Sequence, residues 1–280
     1  MCELFAMSAR LPTNVHLSLD ELARHGGGTG PHRDGWGVAF GQQGDALVMR
    51  EADAANDSAC LAFLKRQQIS SGMVVAHIRK ATQGPRLLRN TQPFTRELGG
   101  VMHIFAHNGM FPGIESDSRF PVRRFRPIGD TDSEHAFCAL LERISALWSD
   151  GLPSLDERLR VIATFAAELR TVGPANFIYA DGDAIFAHGH RRRNAAGELA
   201  PPGLHVLCRS CQPGSDGREL DFAGVSIPHD AEQHVALLAT VPLTSEPWDA
   251  LAEGELVVLR EGRLLRRQLS DDQAAAALPA

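Results

Sequence analysis

Apolar and polar positions alternate with a period of two along many short stretches of this chain and follow a helical period along only a few, so β-structure dominates the expected elements. Strands are predicted over residues 3–9, 36–40, 46–50, 73–79 and 101–107, the second and third joined by a Gly-Gln-Gln-Gly turn. A second group covers 175–180 and 184–188, linked by the hairpin signal Asp181-Gly182-Asp183, then 204–209, 234–240, 255–260 and 263–269. Helical periodicity is confined to four places. Ser18-Leu19-Asp20-Glu21 is a capping-box pattern that opens a short helix ended by Gly26, and residues 57–67 form another. Over 131–148, Thr131 and Glu134 form a capping box while Phe137, Leu140, Leu141, Ile144, Leu147 and Trp148 share one face. Ser154 and Glu157 then cap a helix that runs to about Leu169.

Strands in hairpin-length succession, with two amphipathic helices adjacent in sequence, point to an α+β layered fold and not to the βαβ alternation of a doubly wound sheet. A length of 280 residues allows a second domain, but neither a linker nor an internal repeat is found. Residues 2–280 therefore read as a single domain, with an Ala-rich tail over about 271–280 expected to be loosely held. The Gly-rich stretch 25–35 is a candidate lid.

Composition narrows the function classes. Hydrophobic residues at 44% and charged residues at 22% exclude disorder. A net charge of −6, with no basic run beyond Arg191-Arg192-Arg193, argues against a nucleic-acid partner. Apolar runs such as 235–239 fall far short of the roughly 20 residues needed to cross a bilayer, and the amino terminus lacks the pattern of a secretory signal. A cytoplasmic protein without a membrane partner is expected. Five cysteines, an odd number in a long chain, suit a reducing compartment.

Cys2 heads the candidate chemistry because removal of Met1 would leave a thiol and an α-amine on one residue. An α-amine titrates near about 7.7–8.0, so a substantial fraction is neutral at cellular pH and can accept the thiol proton. His107-Asn108-Gly109 closes a strand, and an Asn amide beside a Gly N–H offers two donors to a developing oxyanion; taken alone, it reads more readily as a strand-ending turn. His77-Ile78-Arg79-Lys80-Ala81-Thr82 carries a guanidinium fork suited to an α-carboxylate, although a surface ion pair is the simpler account of Arg79. Asp132 stands in the first turn of the 131–148 helix, where it can receive an ammonium group or merely cap the helix.

In order and approximate spacing, Met1-Cys2, His77-Ile78-Arg79 with Ala81-Thr82, His107-Asn108-Gly109 and Thr131-Asp132-Ser133-Glu134 resemble the motifs of class II glutamine amidotransferases, which are N-terminal nucleophile hydrolases. The run from His32 to Phe40, His-Arg-Asp-Gly-Trp-Gly-Val-Ala-Phe, and Pro242-Leu243-Thr244 followed by Trp248 are closest to the stand-alone YafJ-like branch, and the resemblance covers nearly the whole chain. It implies a four-layer αββα sandwich of two antiparallel sheets. It also implies hydrolysis of the side-chain amide of L-glutamine to glutamate and ammonia through a Cys2 thioester. Cys2 would be the nucleophile with its own amine as base, Asn108 and Gly109 the oxyanion hole, Arg79 and Thr82 the carboxylate site and Asp132 the ammonium site. Lys80 and Gln83 stand where sugar-phosphate amidotransferases carry Trp and His. The alternatives are a γ-glutamyl hydrolase acting on a larger compound and a catalytically idle amino-acid-binding scaffold. Any ammonia acceptor would be a separate protein, and a homo-oligomer stays open.

No cofactor or metal is expected. Cys208-Arg209-Ser210-Cys211 is a single Cys-x-x-Cys, and zinc would need His188, His190 or His205 in addition. Cys208 alternates with Val206 and reads as a packed thiol, while Cys60 and Cys138 read as core. His32 and Trp36 could line the site under the Gly-rich loop, with Trp36 equally explained as a core aromatic.

Overall fold

The computed structural model describes residues 2–194, 197–211 and 232–269. The expected loose tail at 271–280 lies outside them. The strands in chain order are β1 (Glu3–Asn14), β2 (Trp36–Gln42), β3 (Asp45–Glu51), β4 (Ser70–Ile78), β5 (Phe94–Leu98), β6 (Val101–Gly109), β7 (Ala175–Ala180), β8 (Ile185–His188), β9 (Arg192–Arg193), β10 (Leu199–Ala200), β11 (His205–Cys211), β12 (Gln233–Ala239), β13 (Asp249–Ala250), β14 (Leu256–Arg260) and β15 (Arg263–Gln268). The helices are α1 (His16–Ala23), α2 (Ala59–Arg66), α3 (Asp132–Ile144) and α4 (Leu155–Val172).

Two sheets hold the described strands apart from the β9–β10 ribbon. One runs β13-β11-β12-β1-β4-β2-β3, the other β15-β14-β8-β7-β6-β5. Neighbours within them are antiparallel. Because side chains alternate across a strand, each sheet feeds two cores. Phe5, Met7, Val74 and Ala76 of the first sheet pack with Leu19, Leu22, Leu61 and Leu64 of α1 and α2. Phe105, Phe177 and Phe186 of the second pack with Phe137, Leu140, Ile162 and Phe165 of α3 and α4. Leu4, Ala6, Val75, Ile104, Ala106, Ile178 and Leu238 fill the space between the sheets. This is the αββα sandwich. Each large apolar side chain so buried contributes roughly 1.5–3 kcal/mol, which explains why short strands of modest propensity hold their places.

The element boundaries differ from the sequence reading where tertiary contacts intervene. α1 begins at His16 after Val15, so Ser18 sits inside the helix and does not cap it, and the chain continues from Ala23 into a π-type turn over Arg24–Gly28. Thr131 caps α3 by accepting from the Glu134 N–H, but Glu134 does not return the bond. Its carboxylate takes the Gly129 N–H and the Arg96 guanidinium. The reciprocal capping box does form at Ser154 and Glu157. α3 ends at Ile144, and a 3₁₀ turn, Ser145–Trp148, carries Trp148 into the core. Strand β5 was not expected. Cys208 is exposed, not packed, although it alternates along β11 with the buried Val206. Cys138 is buried and Cys60 half-buried, both on helices. Among the described residues no helix is long and apolar enough to cross a membrane.

Candidate active site

Three strands end together at one edge of the inter-sheet layer. β1 sends Leu4 and Ala6 between the sheets, and the same alternation carries Cys2 to that face. β4 sends Val75 there, followed by His77 and Arg79; β6 sends Ile104 and Ala106, followed by Asn108. Cys2 and Asp132 come within electrostatic reach of one another there, as do His77 and His107, where the apolar layer gives way to polar side chains.

The thiol of Cys2 is fixed by the turn after β4. Its Sγ accepts the Lys80 N–H at 3.3 Å and faces the Lys80 carbonyl at 3.4 Å. Burial raises its pKa above the ordinary thiol value; the Lys80 N–H and the Arg79 charge pull it down and the Asp132 charge pushes it up. The thiol therefore holds its proton until a base takes it.

Arg79 is 3% exposed and gives Nη1 to the Pro85 carbonyl and Nη2 to the carbonyls of Gln83 and Gly84. Five N–H groups leave it donors to spare for a ligand. Its backbone is tied to the Gly-rich loop: Arg79 N–H donates to Gly35 O at 2.7 Å, Asp34 N–H donates to Arg79 O at 3.1 Å, and Ala81 N–H donates to the Asp34 carboxylate. At the other end of that loop, His25 bonds the carboxylate of Glu3 at 2.7 Å. The stretch read as a candidate lid is thus anchored on both sides of Cys2. Thr82 lies exposed on the turn and Gln83 donates to Glu115.

On the opposite sheet, Asn108 is 0% exposed and both atoms of its carboxamide are buried without a partner among the described residues. A buried amide left unpaired costs on the order of 1–3 kcal/mol, a cost that a ligand can remove. Gly109 follows, and a Cβ there would stand 1.8 Å from the Pro174 carbonyl oxygen and 2.6 Å from His107 Nε2, so only glycine fits. His107 braces this turn: it stacks on Phe111 and bonds Pro174 O through Nε2 and Ser133 Oγ through Nδ1. Burial lowers its pKa, keeping it neutral, and the carbonyl partner places the proton on Nε2.

Asp132 is 4% exposed at the first turn of α3; Oδ1 accepts the Ser133 N–H and Oδ2 the Phe111 N–H. The charges of Arg79 and Asp132 both lie close enough to Cys2 to act on its thiol, and the thiol acts in turn on Arg79. His32 is buried beside Glu3 and His77, whereas Trp36 packs in the core under α1 and α2 and donates its indole N–H to Glu51. Sequence reasoning missed the supports: Gln92, Phe111, Pro174 and Asn176. Only Asn176, a lone amide in the apolar run 175–180, left a signal.

The family model described as class II glutamine amidotransferases matches residues 1–278. The chain belongs to that family. Among its relatives are YafJ of Escherichia coli K12, provisionally named a glutamine amidotransferase, which is 36% identical over 256 residues, 91% of this chain and 96% of YafJ. A Haemophilus influenzae Rd protein with a like provisional name is 32% identical over 280 residues, 98% of this chain and 90% of its own. The crystal structure of a predicted glutamine amidotransferase from Pseudomonas aeruginosa PA01 superposes with a TM-score of 0.66 at 30% identity, over 95% of this chain and 100% of that one. The chain also shares its fold with the glutamine phosphoribosylpyrophosphate amidotransferase of Bacillus subtilis, at a TM-score of 0.57 and 12% identity over 96% of this chain and 49% of the larger enzyme.

Proposed function

We propose that this protein hydrolyses the side-chain amide of L-glutamine to glutamate and ammonia, with Cys2 as nucleophile. The buried carboxamide of Asn108 carries this reading, because a buried amide with no partner among the described residues calls for a ligand atom to bond.

Removal of Met1 leaves the α-amine on Cys2, which takes the thiol proton, and the thiolate attacks the carboxamide carbon. The carbonyl oxygen becomes an oxyanion bonded by the Asn108 side-chain N–H and the Gly109 backbone N–H. Collapse of the tetrahedral adduct breaks the C–N bond, and the amine's proton leaves with ammonia. Water, deprotonated by the same amine, attacks the γ-glutamyl thioester and returns the thiol. The Arg79 guanidinium and the Thr82 hydroxyl receive the α-carboxylate of the substrate, and Asp132 its ammonium. Both charged groups already lie within electrostatic reach of the thiol, which supports this placement.

The test is ammonia and glutamate release from L-glutamine by the Met1-free protein, beside γ-glutamyl peptides at equal concentration. Glutamine should be turned over and Cys2→Ala should abolish the activity. Turnover of the peptides alone would transfer the chemistry to a γ-glutamyl hydrolase, and activity in Cys2→Ala would overturn the nucleophile.

A further inference from the structure

Beyond the residues proposed to touch substrate, the end of β6 is held by side-chain bonds as well as by its ladder. Its pairing with β5 stops at Phe105, opposite Phe94, so residues 106–109 keep β7 as their one strand neighbour. Two side chains fix the backbone there, Gln92 on the side that β5 leaves open and Asn176 on the β7 side. Gln92 Oε1 accepts the His107 N–H at 2.6 Å, and Asn176 Nδ2 donates to the Asn108 carbonyl at 2.9 Å.

Asn176 lies directly across the ladder from Asn108 and is 0% exposed. Its second Nδ2 hydrogen goes to Arg191 O at 2.7 Å, and its Oδ1 accepts the His190 N–H at 2.7 Å. Two carbonyl acceptors on the nitrogen and one N–H donor on the oxygen leave no alternative orientation for this amide. The chain folds tightly over it, since a Cβ on Gly203 would stand 1.5 Å from Asn176 Oδ1. The Asn108 carbonyl and the Gly109 N–H belong to one planar trans peptide and point in opposite directions. A bond that holds the carbonyl therefore also aims the N–H, and polarisation of the peptide strengthens it as a donor.

We propose that Asn176 is a positioning residue that aims and polarises the Gly109 N–H through the Asn108 carbonyl. This rests on the proposed oxyanion role of Gly109.

The test compares Asn176→Ala and Asn176→Asp with the wild type and with Asn108→Ala, measuring kcat and KM for L-glutamine. Alongside, the rate at which iodoacetamide alkylates Cys2 is followed by peptide mass. Alkylation is a displacement at saturated carbon and uses no oxyanion hole, so it reports the thiol alone. Each kcat is divided by the folded fraction, read from the calorimetric enthalpy of unfolding, which removes any loss of folded enzyme. Outright removal of an oxyanion donor costs about 10²–10³ in kcat; with the Gly109 donor misaimed but present, we expect kcat to fall about tenfold, KM to stay within about twofold and alkylation to be unchanged. Unchanged kcat, a change confined to KM, or slower alkylation overturns the proposal. If Asn108→Ala also leaves kcat intact, the oxyanion reading itself has failed; if Asn108→Ala is impaired and the Asn176 variants are not, only the positioning role is lost.

Discussion

The Phe111 N–H donates to Asp132 Oδ2 at 2.6 Å, so the carboxylate proposed to hold the substrate's ammonium group also holds the segment that follows Gly109. Charge and scaffold can be separated at this residue. Asp132→Asn keeps an oxygen for Phe111 and removes the charge, and should raise KM for L-glutamine about 10-fold or more with kcat little changed, the scale of one charged hydrogen bond. Asp132→Ala removes both and should lower kcat as well. Identical kinetics for the two variants would contradict this division.

Gly109 admits no side chain. A Cβ would lie 1.8 Å from Pro174 O and 2.6 Å from His107 Nε2, so the Pro174 backbone and the His107 ring both have to move. Gly109→Ala should destabilise the protein by about 1–3 kcal/mol, the usual cost of overpacking, and should reduce kcat through displacement of the turn. An unchanged thermal midpoint in calorimetry would show that Pro174 yields without cost.

Arg79 serves two masters, the carbonyls of residues 83–85 and, in the proposed reaction, the α-carboxylate. Lysine offers a point charge in place of a planar fork, so Arg79→Lys should raise KM for L-glutamine by about 10- to 100-fold. The difference should vanish for a substrate whose α-carboxylate is masked as an amide. A KM defect that persists with the masked substrate assigns Arg79 a purely structural role.

The Glu3–His25 bond next to the nucleophile makes stability depend on pH. Burial pushes the Glu3 carboxyl up, but the bond and charge of His25 outweigh it and the net shift is down; the same bond raises His25 against burial. A depressed carboxyl stabilises the fold above its unfolded pKa of about 4.3, while a raised imidazole stabilises it below about 6.5, and each contribution fades beyond those limits as pH falls or rises through the folded value. The thermal midpoint deficit of His25→Ala should therefore be largest between roughly pH 4.5 and 6.5 and shrink on the alkaline side. A deficit that grows steadily toward pH 9 would contradict the pairing.

Much of this architecture was legible in the sequence because the apolar layers leave a periodic trace. The helices at 132–144 and 155–172 and the hairpin around Gly182 were readable from spacing and turn residues alone. β5 was not, since Thr95, Arg96 and Glu97 interrupt its apolar pattern; it holds its place by pairing with β6 and by Phe94 and Leu98 in the core. Cys2, Arg79, Asn108, Gly109 and Asp132 stand out in the sequence as candidates, and their roles are those proposed above. Their supports do not stand out: Pro174 acts through a carbonyl that every residue possesses, and Gln92 acts because β5 begins only at Phe94. Such roles are properties of the folded backbone.

The central claim is a covalent one, and intact-protein mass spectrometry tests it most directly. The Met1-free protein is mixed with L-glutamine, quenched in acid within the first turnover and digested to locate any adduct. The proposed mechanism predicts the mass of one γ-glutamyl group on Cys2, labile to hydroxylamine as a thioester is, and absent from Cys2→Ala. An adduct on Cys60, Cys138, Cys208 or Cys211, or ammonia release that continues in Cys2→Ala without any adduct, would contradict it.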